Sequence, residues 1–165
     1  MTARDLANYF LSLDPERQYF NLNLIVRNGS TFYEGNARLN KYMHLAQNIY
    51  IAMTGNLLID SPFYAYNNGA VIPDIQRDYR LLFNGKNEYH NISDEQMLLS
   101  RKIFEAFKNA DIDEIIEIDH EDKAWLDKHN GQSMAEQKMD SLKYKEIYEK
   151  QYADMIKVLN RMKIA

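Results

Sequence analysis

Residues 38–74 read RLNKYMHLAQNIYIAMTGNLLIDSPFYAYNNGAVIPD. Leu39, Tyr42, Met43, Ala46, Tyr50 and Met53 recur at helical spacing, and Leu45, Ile49 and Ala52 widen the stripe. The spacing predicts a helix over 37–54, apolar around so much of its circumference that it belongs at the centre of a core. Gly55 suits the position just past its end. An aromatic-rich connection follows, extended around Leu57-Leu58-Ile59 and Phe63-Tyr64-Ala65-Tyr66. Pro73 then opens the next helix, at a position where its missing N–H costs nothing. Ile75, Tyr79, Leu82 and Phe83 continue that helix and Gly85 stops it.

Towards the N-terminus, Leu6, Phe10 and Leu13 predict a short helix over 3–13, ended by Asp14-Pro15 because a residue before proline avoids helical dihedrals. Leu22, Leu24 and Val26 fall at alternate positions among Asn21, Asn23 and Arg27, Asn28-Gly29 fits a type I′ turn, and Thr31-Phe32-Tyr33 returns. A lone hairpin is marginal in water, so this one should pack against helices or a partner. Towards the C-terminus, Ser93/Gln96, Asp111/Glu114 and Ser133/Glu136 have capping-box spacing ahead of apolar helical runs. The last of these is expected to open a long helical region over about 133–163. Tyr148, Tyr152, Met155, Ile156, Leu159 and Met162 form its stripe, suited to intramolecular core or to the seam of a homodimer. The expected fold class is therefore mainly α, a compact single domain over 1–165 with one small β-hairpin at about 20–35.

Composition limits the function classes. The chain has 165 residues, 45% hydrophobic and 27% charged, a globular balance long enough to bury a core. Its net charge is −4 and its 20 Lys and Arg form no basic run, so no nucleic-acid partner is expected. Zero cysteines excludes disulfides, thiolate metal sites and a Cys nucleophile, and fits a cytoplasmic location. The opening MTARDLANYF does not read as a signal peptide, and no apolar run is long enough to suggest a membrane span. No P-loop, G-x-G-x-x-G or G-x-S-x-G elbow occurs, so no cofactor is expected.

Three stretches carry a resemblance. In RLNKYMHLAQNIYIAMTGNLLID, Leu39, Lys41, Ala46, Gln47, Thr54, Gly55, Leu58 and Asp60 resemble the central helix of the SocA-like, or Panacea, domain family. In FYAYNNGAVIPDIQRDY, Gly69, Val71 and Pro73 match the family's turn, while Asn68 replaces the usual Tyr and Ala70 the usual first Pro. In IFEAFKNADIDEIIEIDHEDKAW, His120 and Trp125 match a Thr-His-x-Glu-x-Pro-Trp ending, with Asp119, Asp122 and Ala124 at the Thr, Glu and Pro positions. The resemblance implies a helical domain of bacteria and phages, often an antitoxin that neutralises an adjacent-encoded toxin by direct binding. It also allows an adaptor that presents a partner protein to a protease or host machine.

Tyr64, Tyr66 and Asn68, at a turn rich in hydrogen-bonding tips, are the first partner-binding candidates; His120 and Trp125 complete the set. His120 also stands among Asp119, Glu121 and Asp122, where neighbouring carboxylates are expected to raise its pKa and an enzyme reading would begin. Adjacent residues point in different directions and no second His has metal spacing, so no catalytic residue and no metal ligand is assigned. His120 is instead expected to bond across the fold with Trp125 packed beneath it. His44 is expected to be a satisfied or solvent-facing histidine.

Overall fold

The computed structural model describes residues 1–164. Its axis is helix α2 (Glu34–Thr54), in which every residue from Gly35 to Ile49 is buried. The helix starts three residues earlier than the apolar stripe suggests and ends as expected, with Gly55 left-handed at φ +76° and its N–H bonded to the carbonyl of Ile51.

Before α2 come helix α1 (Ala3–Ser12) and the hairpin of β1 (Leu24–Arg27) and β2 (Ser30–Tyr33). Asn28 and Gly29 both have positive φ, the type I′ geometry. Ile25 and Phe32 pack onto the core, whereas Leu24 and Val26 point outward. Asp14 does more than precede a proline: its buried carboxylate accepts the N–H groups of Gln18, Tyr19 and Phe20 and so organises the turn into the hairpin.

After α2, the aromatic connection closes into a second hairpin of β3 (Tyr64–Tyr66) and β4 (Gly69–Val71). The mainly helical class stands, with two small antiparallel sheets where one was expected. The helix opened by Pro73 breaks at Asp78 into α3 (Pro73–Arg77) and α4 (Tyr79–Asn84); Asp78 there pairs with both Arg4 and Arg77. Helix α5 (Asp94–Phe107) carries the full Ser93/Gln96 capping box, and α6 (Ile112–His120) is capped by Asp111. Buried Arg38 of α2 donates to the carbonyls of Phe107 and Ala110, tying the end of α5 to the axis.

The final third departs furthest from expectation. Beyond α7 (Lys123–Leu126), the long helical region breaks into α8 (Met134–Gln137), a 3-10 turn at Ser141–Tyr144, α9 (Lys145–Gln151) and α10 (Ala153–Ile164). The break has a cause: Lys138 turns extended and bridges Tyr64, and the Met139 N–H donates to the Phe63 carbonyl at 2.9 Å. The aromatic stripe folds inward, with Tyr148 and Leu159 fully buried and Tyr152, Met155 and Ile156 packed beside the core. Met162 is the exception and stays exposed. Of the expected 1–165 span, Ala165 lies outside the described residues. Among the described residues, no helix is long and apolar enough to cross a membrane.

Candidate functional site

A helix buried on all sides should be apolar on all sides, yet α2 carries Asn40, Lys41, His44, Gln47 and Asn48 in its buried stretch. Each must find a partner, because burying an unpaired polar group is costly. Asn40 accepts the Ile72 N–H, and Gln47 accepts that of Ile59. Two amides thereby fix the connection that leaves α2 and the exit of the second hairpin against the axis.

Lys41 and His44, one turn apart, face the carboxylates of Asp119 in the last turn of α6 and Asp122 at the cap of α7. His44 Nδ1 bonds Asp119 Oδ1, and Nε2 lies 3.2 Å from Asp122 Oδ2. Asp119 Oδ2 accepts the Ala70 N–H, while Lys41 Nζ donates to the Ala70 carbonyl at 3.1 Å. Asp122 Oδ1 accepts the Tyr148 hydroxyl at 2.6 Å, and its Oδ2 accepts the Trp125 N–H. All of these side chains are buried.

With an acceptor at each ring nitrogen, His44 is held as an imidazolium. Burial alone would lower its pKa, but Asp119 and Asp122 outweigh burial and push it up to about 10. Burial likewise opposes the Asp119 charge, and His44, Lys41 and the Ala70 N–H overcome it to hold that carboxyl below its usual range. Burial lowers the Lys41 pKa, with Asp119 only partly compensating. A protonated ring has no lone pair for Asn48 Nδ2, placed 3.3 Å from Nε2.

The cluster shapes the backbone above it. Gly69 has φ +114°, and a Cβ there would overlap both Asp119 Oδ2 and the end of Lys41. The second hairpin is thus seated directly on the charges, and its outer side presents the residues singled out from the sequence. Asn68 accepts from Asn28 Nδ2 at 3.0 Å and donates to the Arg27 carbonyl at 3.2 Å, joining the two hairpins. The Tyr66 carbonyl accepts the Trp125 indole N–H at 2.9 Å. Trp125 lies between two imidazoles, stacked with His120 at 4.2 Å and His129 at 4.5 Å between centroids. Tyr66, Trp125 and His120 therefore form one contiguous unit. Asn68 lies beside it at the hairpin tip, and Tyr64 at the other end of β3.

Three expectations need correction. His120 makes no hydrogen bond across the fold among the described residues: its Nε2 is buried without a partner, and the histidine that bonds across the fold is His44. The His120 pKa is lowered, not raised: burial outweighs the acidic neighbours, and Asp119 and Asp122 are aimed at His44 instead. Trp125 is itself buried, so it serves as a platform rather than a contact surface. Lys41, His44, Asp119, Asp122 and Tyr148 were not singled out as a group from the sequence. The signal was there in the polar residues interrupting an all-round apolar helix, and in the acidic replacements at the motif's Thr and Glu positions.

A polar cleft of about 500 Å³ opens beside Lys41, between the two hairpins, and Tyr66 and Asn68 line its rim. Among the described residues, no group of three His, Asp or Glu side chains is placed to hold a metal ion.

The class these features define is a mainly helical domain built on one buried, polar-studded helix whose internal ion cluster seats a hairpin. The family model for the SocA-like antitoxin, Panacea domain, matches residues 39–126, more than half of the chain, and the protein belongs to that family. No match was found among curated proteins or among solved structures.

Proposed function

We propose that the chain is an antitoxin of a bacterial or phage mobile element, acting in the cytoplasm. It neutralises a toxin encoded beside it by stoichiometric binding, without chemistry or a cofactor. The observation that carries this reading is the family match, which spans most of α2, the second hairpin, α6 and α7.

The contact face we assign is the hairpin tip with its aromatic support: Tyr64, Tyr66, Asn68 and His120, with Trp125 beneath. Tyrosines supply large contact area together with a hydrogen-bonding tip, and Tyr is enriched among residues that dominate interface energies. Backbone and side-chain bonds to Asp119, Trp125 and Asn28 hold this face rigid before binding, which limits the entropy lost on association. The nearby Lys41, His44, Asp119 and Asp122 charges compensate one another internally, so the face recognises by shape and hydrogen bonds.

Co-expression with the product of the adjacent reading frame tests the reading. An equimolar complex should co-elute, and Tyr66→Ala with Asn68→Ala should weaken it while leaving the melting temperature of the free chain nearly unchanged. An adaptor would instead shorten its partner's lifetime, which a chase of the partner after synthesis is stopped would reveal. Absence of a complex together with a stable, active partner would contradict both.

A further inference from the structure

The outer edge of the first hairpin is open, and its surroundings are specific. With Arg27 opposite Ser30 across a two-residue turn, the bonded pairs are Arg27–Ser30 and Ile25–Phe32. The N–H and C=O groups of Leu24 and Val26 therefore point away from β2. The sheet has two strands, and among the described residues no other backbone group bonds those of Leu24 or Val26. Both side chains are strongly exposed, at 64% and 74%. Unpaired edges of this kind are templates for another strand, and proteins usually blunt them with charge, proline or a cover.

Here the edge is not covered but faces a groove. A space of about 770 Å³ separates it from α6, lined by Ile25, Val26, Arg27, Ile112, Asp113 and Glu117. Asp113 and Glu117 are exposed and share a single cation, Arg27, at 2.6 and 2.7 Å. Two carboxylates against one guanidinium leave the wall net negative. Arg27 also carries the carbonyl that accepts from Asn68, so the groove is continuous with the hairpin-tip face.

We infer that the groove between β1 and α6 takes an extended, basic and apolar segment of the partner protein, added as a third strand on the edge of β1. This rests on the reading of the chain as a partner-binding antitoxin, and names the chemistry of the segment bound. Main-chain bonds to Leu24 and Val26 supply affinity, and a Lys or Arg on the segment answers Asp113 and Glu117, the usual division of labour in strand addition.

The test uses the full ¹⁵N-labelled chain and capped peptides of alternating Lys and Val, alternating Glu and Val, and the Lys form N-methylated at alternate residues. The Lys-Val peptide should bind saturably and shift the amides of Leu24, Val26, Asp113 and Glu117. Glu-Val and N-methylated forms should not. Val26→Pro removes an outward N–H without breaking the ladder to β2, since proline is tolerated on that side of an edge strand. It should weaken Lys-Val binding about tenfold or more. Equal binding by Val26→Pro or by the Glu-Val peptide, shifts elsewhere, or no binding would overturn the inference. Should Val26→Pro fail to fold, the N-methylated peptide decides. If the unaltered chain protects cells from its neighbour's product and Val26→Pro protects as well, the groove assignment fails while the antitoxin reading stands. If the unaltered chain does not protect, the antitoxin reading fails and the peptide titration alone judges the groove.

Discussion

His44 in α2 and Asp119 in α6 stand 75 positions apart in the chain and share a fully buried charged hydrogen bond. The bond ties the axis of the fold to the helix that closes it, and Asp119 passes the connection to the second hairpin through the Ala70 N–H. Removing one partner of a buried ion pair typically costs about 3–5 kcal/mol, because the other is left charged and unpaired. The fold and the hairpin's position therefore depend on the same contact.

A pH dependence follows from the raised His44 pKa. A histidine shifted from 6.5 to about 10 stabilises the fold fully below pH 6.5 and loses that contribution as pH rises through about 10. Lys41 works with the opposite sign: burial lowers its pKa, so its cost is relieved as pH rises. The comparison should therefore be wild type minus His44→Gln in urea unfolding. The difference should shrink between pH 6.5 and 10 by up to about 1.4 kcal/mol per unit. A difference independent of pH would show that the imidazole is neutral in the fold.

Tyr148→Phe removes the hydroxyl that Asp122 Oδ1 accepts at 2.6 Å while keeping the ring volume. Loss of a bond to a buried carboxylate should cost about 1–3 kcal/mol. At roughly 2–4 °C per kcal/mol for a chain of this size, calorimetry would resolve the shift. An unchanged melting temperature would place Asp122 outside the stabilising network.

Gly69→Ala combines a strained backbone at φ +114° with a Cβ aimed at Asp119 and Lys41. The strain alone is worth about 1–3 kcal/mol, and the overlap adds to it. Asn68→Ala, one residue away and held by one exposed and one part-buried hydrogen bond, introduces no overlap with the cluster and should cost well under half as much. Equal costs would contradict the seating of the hairpin on the cluster.

Trp125 is the sole tryptophan, so its fluorescence reports its two imidazole neighbours directly. Protonating a stacked histidine places a cation against the indole face, and quenching should follow. With the His120 pKa lowered by burial, His129→Ala should leave a quenching step below pH 6.5. Adding His120→Ala to the His129→Ala chain should abolish that step. If the step in the His129→Ala chain lay above pH 6.5, the burial effect on His120 would be wrong.

The central helix, its Gly55 stop, the Pro73 start and the first hairpin were legible because each rests on local chemistry: period, cap and turn. The second hairpin was not, since three-residue strands give no alternation to count; what closes it is Asp119 reaching Ala70 from 49 positions away. The C-terminal region misled for the same reason. A helical stripe was present, but pairing of Lys138 and Met139 with β3 overrode it. Of the candidate site, Tyr66 was named from a turn rich in hydrogen-bonding tips and His120 and Trp125 from motif positions, and the three lie together. The ion cluster below them joins three segments far apart in sequence, Lys41 with His44, Asp119 with Asp122, and Tyr148, and nothing local says that they meet.

Growth of cells expressing the adjacent reading frame, with and without this chain, tests the central claim most directly. Expression of the neighbour alone should arrest growth, and co-expression of the chain should restore it. The Tyr66→Ala, Asn68→Ala double variant, folded to the same melting temperature, should fail to restore it. A harmless neighbour, or rescue by the double variant as full as by the unaltered chain, would contradict neutralisation through this face.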